Sequence, residues 1–209
     1  NKEFTQSILS QCFSQEKDEL ILQFEKGRQS LFIKILVAPD FSCLSFPKIF
    51  NRAKKNNIDL FTDLPGLKLQ SVQSYENERC ISLHFENDLT LLLKMHGNRS
   101  NIILFQKDVC ISLFRNNLPG DEAIKLDKLY RKIDWSFEFF QKHINTIKQN
   151  YFVFDKETWR SIEEKQKGIS DAKEKWEIIQ SIKNELEIPS YFVQPSSAHQ
   201  KPIFSLLPL

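Results

Sequence analysis

The chain has 209 residues and a mass of 24.7 kDa, with 41% hydrophobic and 27% charged residues. That length fits one large domain or two small ones, and that composition excludes a chain disordered throughout. Lys and Arg number 29 against 27 Asp and Glu, so there is no basic coat and no acidic tail, and any nucleic-acid site must be local.

The first part, to about Pro119, reads as strands. Ser7 to Ser14 is the first. Leu20, Leu22 and Phe24 then alternate with Ile21 and Gln23, and Leu31 to Val37 is a short apolar run. Segments this short with period two predict sheet. An inserted helix is expected next. Ser45 can cap it, Pro47 suits its first turn, and Phe46, Ile49, Phe50 and Ala53 recur at helical spacing. Lys48, Arg52 and Lys55 fall on another stripe of that helix, and no acidic residue occurs from Phe41 to Ile58. This basic cluster is either a solvated outer face or a phosphate contact.

Strands resume at Leu67 to Ser74. Ile81, Leu83 and Phe85 share one face of the next, with Ser82 and His84 on the other. Glu86-Asn87-Asp88 is a hairpin turn into Leu89 to Met95, and Lys107-Asp108 joins Asn101–Gln106 to Val109–Phe114. About eight strands result, enough for a two-layer β domain over residues 1–119.

From Asp121 the pattern turns helical, over 120–188. One helix runs from Asp121-Glu122 through Ile133. Asp134 can cap a second, carrying Trp135, Phe139, Ile144 and Ile147. Asp155 or Lys156 starts a third through Gln166, and Ser170 caps a fourth that ends before Pro189. Charges in 121–209 balance, 14 basic to 14 acidic, so the small excess, 15 to 13, lies in the first 120 residues. In 189–209, Ser190–Gln194 and Lys201–Leu207 read as two short strands around a Pro/Ser/Gln linker, expected to return to the sheet domain. The chain opens at Asn1 with neither Met nor a signal-peptide pattern and closes on an apolar stretch, so further chain is expected at both ends.

The sequence shows no catalytic constellation. His84, His96, His143 and His199 have no ligand spacing, and neither G-x-S-x-G nor a Walker loop occurs. Cys12, Cys43, Cys80 and Cys110 form no C-x-x-C pair, which fits reduced thiols in a cytosolic protein. No run of about 18 apolar residues exists to span a membrane. A non-catalytic protein without metal or cofactor is therefore expected.

Two loops are more informative. Tyr75 to Arg79 leads into the strand Cys80–Phe85. Arg79 offers a planar fork for phosphate or a base edge, and Glu78 beside it could orient that fork. An ordinary surface ion pair would leave the same trace. In Lys94-Met95-His96-Gly97-Asn98-Arg99-Ser100-Asn101, Gly97 can take a positive φ, Lys94, His96 and Arg99 bring cationic groups, and Asn98 and Asn101 bring amides. Such a loop could bind phosphates, although turns are commonly rich in Gly and Asn.

Together, Asn77-Glu78-Arg79-Cys80-Ile81 and Gly97-Asn98-Arg99-Ser100-Asn101-Ile102-Ile103-Leu104 resemble the NFACT N-terminal domain, also called the fibronectin-binding protein A N-terminal family. Pro189 to Leu206 is similar to the family's closing segment before its coiled coil. The resemblance implies an α+β fold: an N-terminal two-layer β-sandwich similar to that of formamidopyrimidine-DNA glycosylases, then a helix-hairpin-helix-like module. It implies a cytoplasmic factor of ribosome-associated quality control that binds tRNA and the large ribosomal subunit with its nascent chain, aided by further C-terminal domains. The family's functional acidic-Arg pair falls on Glu78 and Arg79, with Glu in place of the usual Asp. Arg99 and Lys94, with His96 and Asn101, would line the same RNA surface, and Lys48, Arg52 and Lys55 would steer. The helical part has no Gly-x-Gly hairpin, and Asn1-Lys2 offers no proline amine with an adjacent glutamate, so glycosylase chemistry does not follow from the fold. The family's older name suggests a competing expectation, a surface adhesin binding fibronectin or other extracellular matrix, and a nucleic-acid-binding scaffold with a DNA-glycosylase-like fold is the other alternative.

Overall fold

The computed structural model describes residues 3–188, 190–194 and 203–207. The chain divides into two compact units, Asn1–Arg131 and Lys132–Leu209, so the boundary lies beyond the Pro119 expected from sequence.

The first unit holds two five-stranded antiparallel sheets. One is built from β1 (Ile8–Ser14), β2 (Glu19–Lys26), β3 (Gln29–Val37), β4 (Ser42–Ser45) and β5 (Ile58–Asp59), in the order β4-β3-β2-β1-β5. The other is built from β6 (Leu69–Ser74), β7 (Cys80–Phe85), β8 (Leu89–Lys94), β9 (Asn101–Gln106) and β10 (Val109–Leu113), in the order β10-β9-β8-β7-β6. Sequential neighbours pair because short turns close them. Asn87 and Asp88 (φ 60 and 57°) turn β7 into β8, and Lys107 and Asp108 (φ 48 and 64°) turn β9 into β10. Paired left-handed residues match the twist of a two-residue hairpin.

Period two then separates the faces. Leu20, Leu22, Phe24, Ile33 and Ile35 meet Leu83, Phe85, Leu91, Leu93, Ile102 and Leu104 in one core. Phe24 and Phe85 stack there with centroids 6.3 Å apart. The outer face of the second sheet is covered too: Cys80, Leu92, Ile103 and Phe105 bury against Tyr75 and Leu126. Hence every residue of β8 is buried, the mark of a strand covered on both faces.

Two helices expected from sequence do not form here. Ser42–Ser45 is a strand, and residues 46–57 that follow contain no helix. Side chains take over the backbone groups that a helix would pair: Asn57 donates to the carbonyl of Ala53 (2.7 Å), and Gln15 accepts from the Ala53 N–H (2.9 Å). The apolar spacing serves other contacts. Phe50 packs on Phe13 and Phe32, whereas Phe46 and Ile49 stay 59% and 79% exposed. Likewise 121–133 forms two 3-10 turns, Asp121–Ala123 and Leu126–Leu129, because Asp121 is drawn inward as a buried counter-ion.

The second unit carries α1 (Phe137–His143), α2 (Ile147–Asn150), α3 (Lys156–Lys165) and α4 (Ala172–Glu187). Ser136, Asp155 and Asp171 cap α1, α3 and α4 by accepting a backbone N–H three residues on. The first and last caps thus replace the expected Asp134 and Ser170. Gly168 (φ +81°) turns the chain between α3 and α4. Phe140, Tyr151, Phe154, Ile162, Ile179 and Ile182 form the core. The Trp135 carbonyl accepts from Trp176 Nε1 (3.0 Å) and Gln180 Nε2 (3.1 Å), tying the incoming chain to α4. Two strands, β11 (Phe192–Gln194) and β12 (Ile203–Ser205), pair with each other in a two-stranded sheet of their own. The linker residues between them lie outside the described residues, as does Pro189. No helix among the described residues is long and apolar enough to cross a membrane.

Candidate nucleic-acid interface

The register places the predicted residues. Cys80 lies opposite Lys94, and Lys94 opposite Asn101, so the three form one row across β7, β8 and β9. Directly paired residues share a face. Cys80 points to the covered outer face, and therefore so do Lys94 and Asn101. Both are buried, at 6% and 0% exposure.

A buried ammonium requires a partner. Asp121, 1% exposed, supplies it: Lys94 Nζ donates to Oδ1, and Asn101 Nδ2 donates to Oδ2 at 2.8 Å. Gly120 (φ 87°) turns the chain so that Asp121 enters. Asn101 also donates to the Arg115 carbonyl (2.9 Å) and accepts from the N–H groups of Ile102 (2.9 Å) and Arg115 (2.8 Å). Every polar group of Asn101 is thereby used. Lys94 and Asn101, expected as phosphate contacts, are instead the interior of a polar node.

At the end of this row lie two loops. The Met95 N–H donates to the Arg79 carbonyl at 2.8 Å, so residues 75–79 and 95–100 adjoin at one end of the sheet. Glu78, its side chain 11% exposed, accepts from Arg131 through Oε1 (3.0 Å) and faces His96 Nε2 through Oε2 (3.3 Å). Cys80 Sγ lies 3.6 Å from the same ring nitrogen. Burial lowers the His96 pKa, with Glu78 opposing and Lys94 and Arg79 assisting the fall. Burial, reinforced by Glu78, pushes the Cys80 thiol up to about 12. Glu78 is thus spoken for by Arg131 and His96, not by the adjacent Arg79.

Arg79 and Arg99 are exposed, and neither side chain makes a hydrogen bond or ion pair among the described residues. Arg99 ends the 3-10 turn Gly97–Arg99, which Gly97 opens with the positive φ (60°) expected of it. In the other basic group, Lys48 and Lys55 are exposed, but Arg52 is engaged. It pairs with Asp59 (2.8 Å), donates to Gln11 (3.1 Å) and Asn57, and lies 4.4 Å over the Phe13 ring. Without a helix these three cations share no stripe.

Sequence reasoning missed Arg115 altogether. Its guanidinium donates to the carbonyls of Ser100 (3.0 Å) and Val37 (2.6 Å) and pairs with Asp18 (2.5 Å), tying the residue that precedes β9 to the first sheet. It likewise missed Cys80 as a companion of Glu78 and His96; only the strand register, read with the loop that follows, would have found it. A further polar chain, Tyr75–Ser82–His84–Thr90, runs beside an open cavity of about 560 Å³. Both His84 nitrogens are used within that chain, and burial lowers its pKa.

Known proteins of similar structure share this architecture. The fibrinogen-binding protein from Staphylococcus aureus superposes with a TM-score of 0.67 at 15% identity, covering 97% of this chain and 84% of that one. The N-terminal domain of fibronectin-binding protein PavA from Streptococcus pneumoniae gives 0.51 at 18%, over 99% and 84%. The N-terminal part of the fibronectin/fibrinogen-binding protein from Streptococcus suis gives 0.52 at 17%, over 68% and 63%. No family model and no curated protein matches the sequence. The chain has the α+β fold of fibronectin-binding protein N-terminal domains.

Proposed function

We propose that this chain is a non-catalytic, cytoplasmic RNA-binding module of a ribosome-rescue factor, with Arg79 and Arg99 as its principal contacts to tRNA or ribosomal RNA. The observation that carries this reading is their placement: two exposed guanidinium groups that make no hydrogen bond or ion pair among the described residues, on loops joined by the Met95–Arg79 backbone bond. Such forks suit phosphate geometry bidentately. The resemblance of the two loop sequences to the NFACT domain supports the same reading. Lys48 and Lys55 add exposed positive charge, whereas Glu78 holds the loops in place through Arg131 and His96. With a net charge of only +2, affinity is modest and falls steeply with salt.

The test is tRNA binding by the full chain as a function of salt, alongside Arg79→Ala and Arg99→Ala. Each variant should weaken binding and reduce the salt slope by about one. Unchanged affinity in both variants would sink the reading. Co-sedimentation of the protein with large ribosomal subunits addresses the partner. A second reading is favoured by the names of the three structural relatives: binding of fibronectin or fibrinogen. Saturable binding to either immobilised protein, without any tRNA affinity, would favour it.

A further inference from the structure

Three donors of different chemistry converge beside the arginine loops. Glu78, Cys80 and His96 each offer one ligand atom, and these atoms all lie within 4.8 Å of one another. We propose that they form a binding site for a single zinc-type divalent ion, with the fourth coordination position open.

The two separations from His96 fit such an ion. Tetrahedral zinc, with bonds of about 2.3 Å to sulfur and about 2.0–2.1 Å to nitrogen or oxygen, has an N···S edge near 3.5 Å and an N···O edge near 3.4 Å. The observed edges are 3.6 Å from His96 Nε2 to Cys80 Sγ and 3.3 Å from Nε2 to Glu78 Oε2. The second is long for a charge-assisted hydrogen bond, which prefers about 2.7–2.9 Å. One ring nitrogen thus faces a carboxylate oxygen and a thiol sulfur without closing tightly on the carboxylate, and a shared cation satisfies all three.

Charge and support agree with this assignment. A thiolate and a carboxylate give two negative charges against the ion's two positive ones, and the neighbouring Lys94 charge is already taken up by Asp121. Binding breaks the Cys80 S–H bond, forms the metal–sulfur bond and releases the proton to solvent. Arg131 holds Glu78 through Oε1 and leaves Oε2 for the ion, the usual work of an outer partner. Cys80 is fixed in the ladder opposite Lys94. The thiolate and imidazole select zinc over magnesium or calcium, which take oxygen ligands. His96, with its side chain 32% exposed, marks the route of access and the side on which the fourth position opens. The ion would clamp the 75–79 loop to the 95–100 loop. The site stands on its own geometry and does not depend on RNA binding.

The experiment is a titration of the full chain, stripped with chelator, with Co²⁺ as a spectroscopic probe. One Co²⁺ per chain should bind, with a thiolate-to-cobalt charge-transfer band and the strong visible bands of four-coordination. Stoichiometric Zn²⁺ should bleach both. Cys80→Ser should abolish the charge-transfer band, Cys110→Ser should keep it, and His96→Gln should weaken Co²⁺ binding at least about tenfold. Because a variant could lose its fold, the wild-type chain supplies a second readout. Stoichiometric Zn²⁺ should shift the ring-nitrogen NMR signals of His96 and leave those of His84 and His143 in place. Absence of stoichiometric binding, a band that survives Cys80→Ser, or unmoved His96 signals would overturn the site.

Discussion

Lys94 and Arg99 sit at the two ends of one connection, yet they do opposite things. Lys94 is the last residue of β8, on a face covered by the segment that carries Asp121 and Leu126. Arg99 has left the ladder and ends a 3-10 turn in solvent. The first charge needs a partner to be buried at all, and the second is available to one from outside. The difference shows that a local count of cations says little until the pleat and the cover over each face are known.

The sharpest way to break this comparison is to remove the buried charge. Lys94→Met leaves Asp121 buried without its counter-ion and should cost about 3–5 kcal/mol in urea unfolding. Lys94→Met combined with Asp121→Leu should cost less than Lys94→Met alone, because neither charge then remains. A cost below about 1 kcal/mol for the single variant would mean that the pair is hydrated and the contrast with Arg99 is false. Next in size is Arg115→Met. It strips hydrogen bonds from the carbonyls of Ser100 and Val37 and leaves Asp18 unpaired, so a loss of about 2–3 kcal/mol is expected in the same assay. An effect no larger than that of an exposed arginine would remove Arg115 as a tie between the sheets.

Much of the fold was legible because hairpins advertise themselves. Asn87-Asp88 and Lys107-Asp108 are turn residues between alternating runs, and both pairs adopt the left-handed conformation. The alternation of Ile81, Leu83 and Phe85 against Ser82 and His84 reports the two faces of β7 correctly. What failed was helix from spacing alone. Phe46, Ile49 and Phe50 fit a helical stripe, but Phe50 packs on Phe13 and Phe32 while Phe46 only touches Phe4 and stays 59% exposed, and Asn57 and Gln15 bond the backbone instead. Asp121 read as a helix start because an acidic residue suits one, while its use is to neutralise Lys94. A signal against solvent exposure of Lys94 was present all the same. The unbroken run Leu91-Leu92-Leu93 marks a strand buried on both faces, and Lys94 shares the parity of Leu92. Arg79 and Arg99 were legible as loop residues because Gly97 and the flanking strands fixed the loops. The meeting of Cys80 with His96 was not, since it depends on cross-strand register.

A smaller effect concerns pH. His84 is held in the Ser82–His84–Thr90 chain, and burial lowers its pKa below the ordinary 6.5. Between the lowered folded value and 6.5 the unfolded chain binds more protons. Stability contributed by the neutral ring is therefore full above that window and lost as pH falls through it. The urea midpoint should drop between about pH 7.5 and pH 5.5, and His84→Gln should lessen the drop. An equal drop in the variant would assign it to other groups.

The smallest effect on folding is expected where the largest effect on binding is proposed. Arg79 and Arg99 make no hydrogen bond or ion pair among the described residues, so Arg79→Ala and Arg99→Ala should each change stability by no more than about 0.5 kcal/mol. The same variants should weaken tRNA binding, most at low salt, where unscreened phosphate contacts dominate. That pairing separates the two ends of the connection cleanly. A residue that served the fold would lower stability and binding together, as Lys94→Met should through partial unfolding. A residue that serves a polyanion should lower binding alone. If Arg99→Ala proved as destabilising as Lys94→Met, the exposed end of the loop would be structural as well, and the arginine pair would lose its claim to be a binding surface.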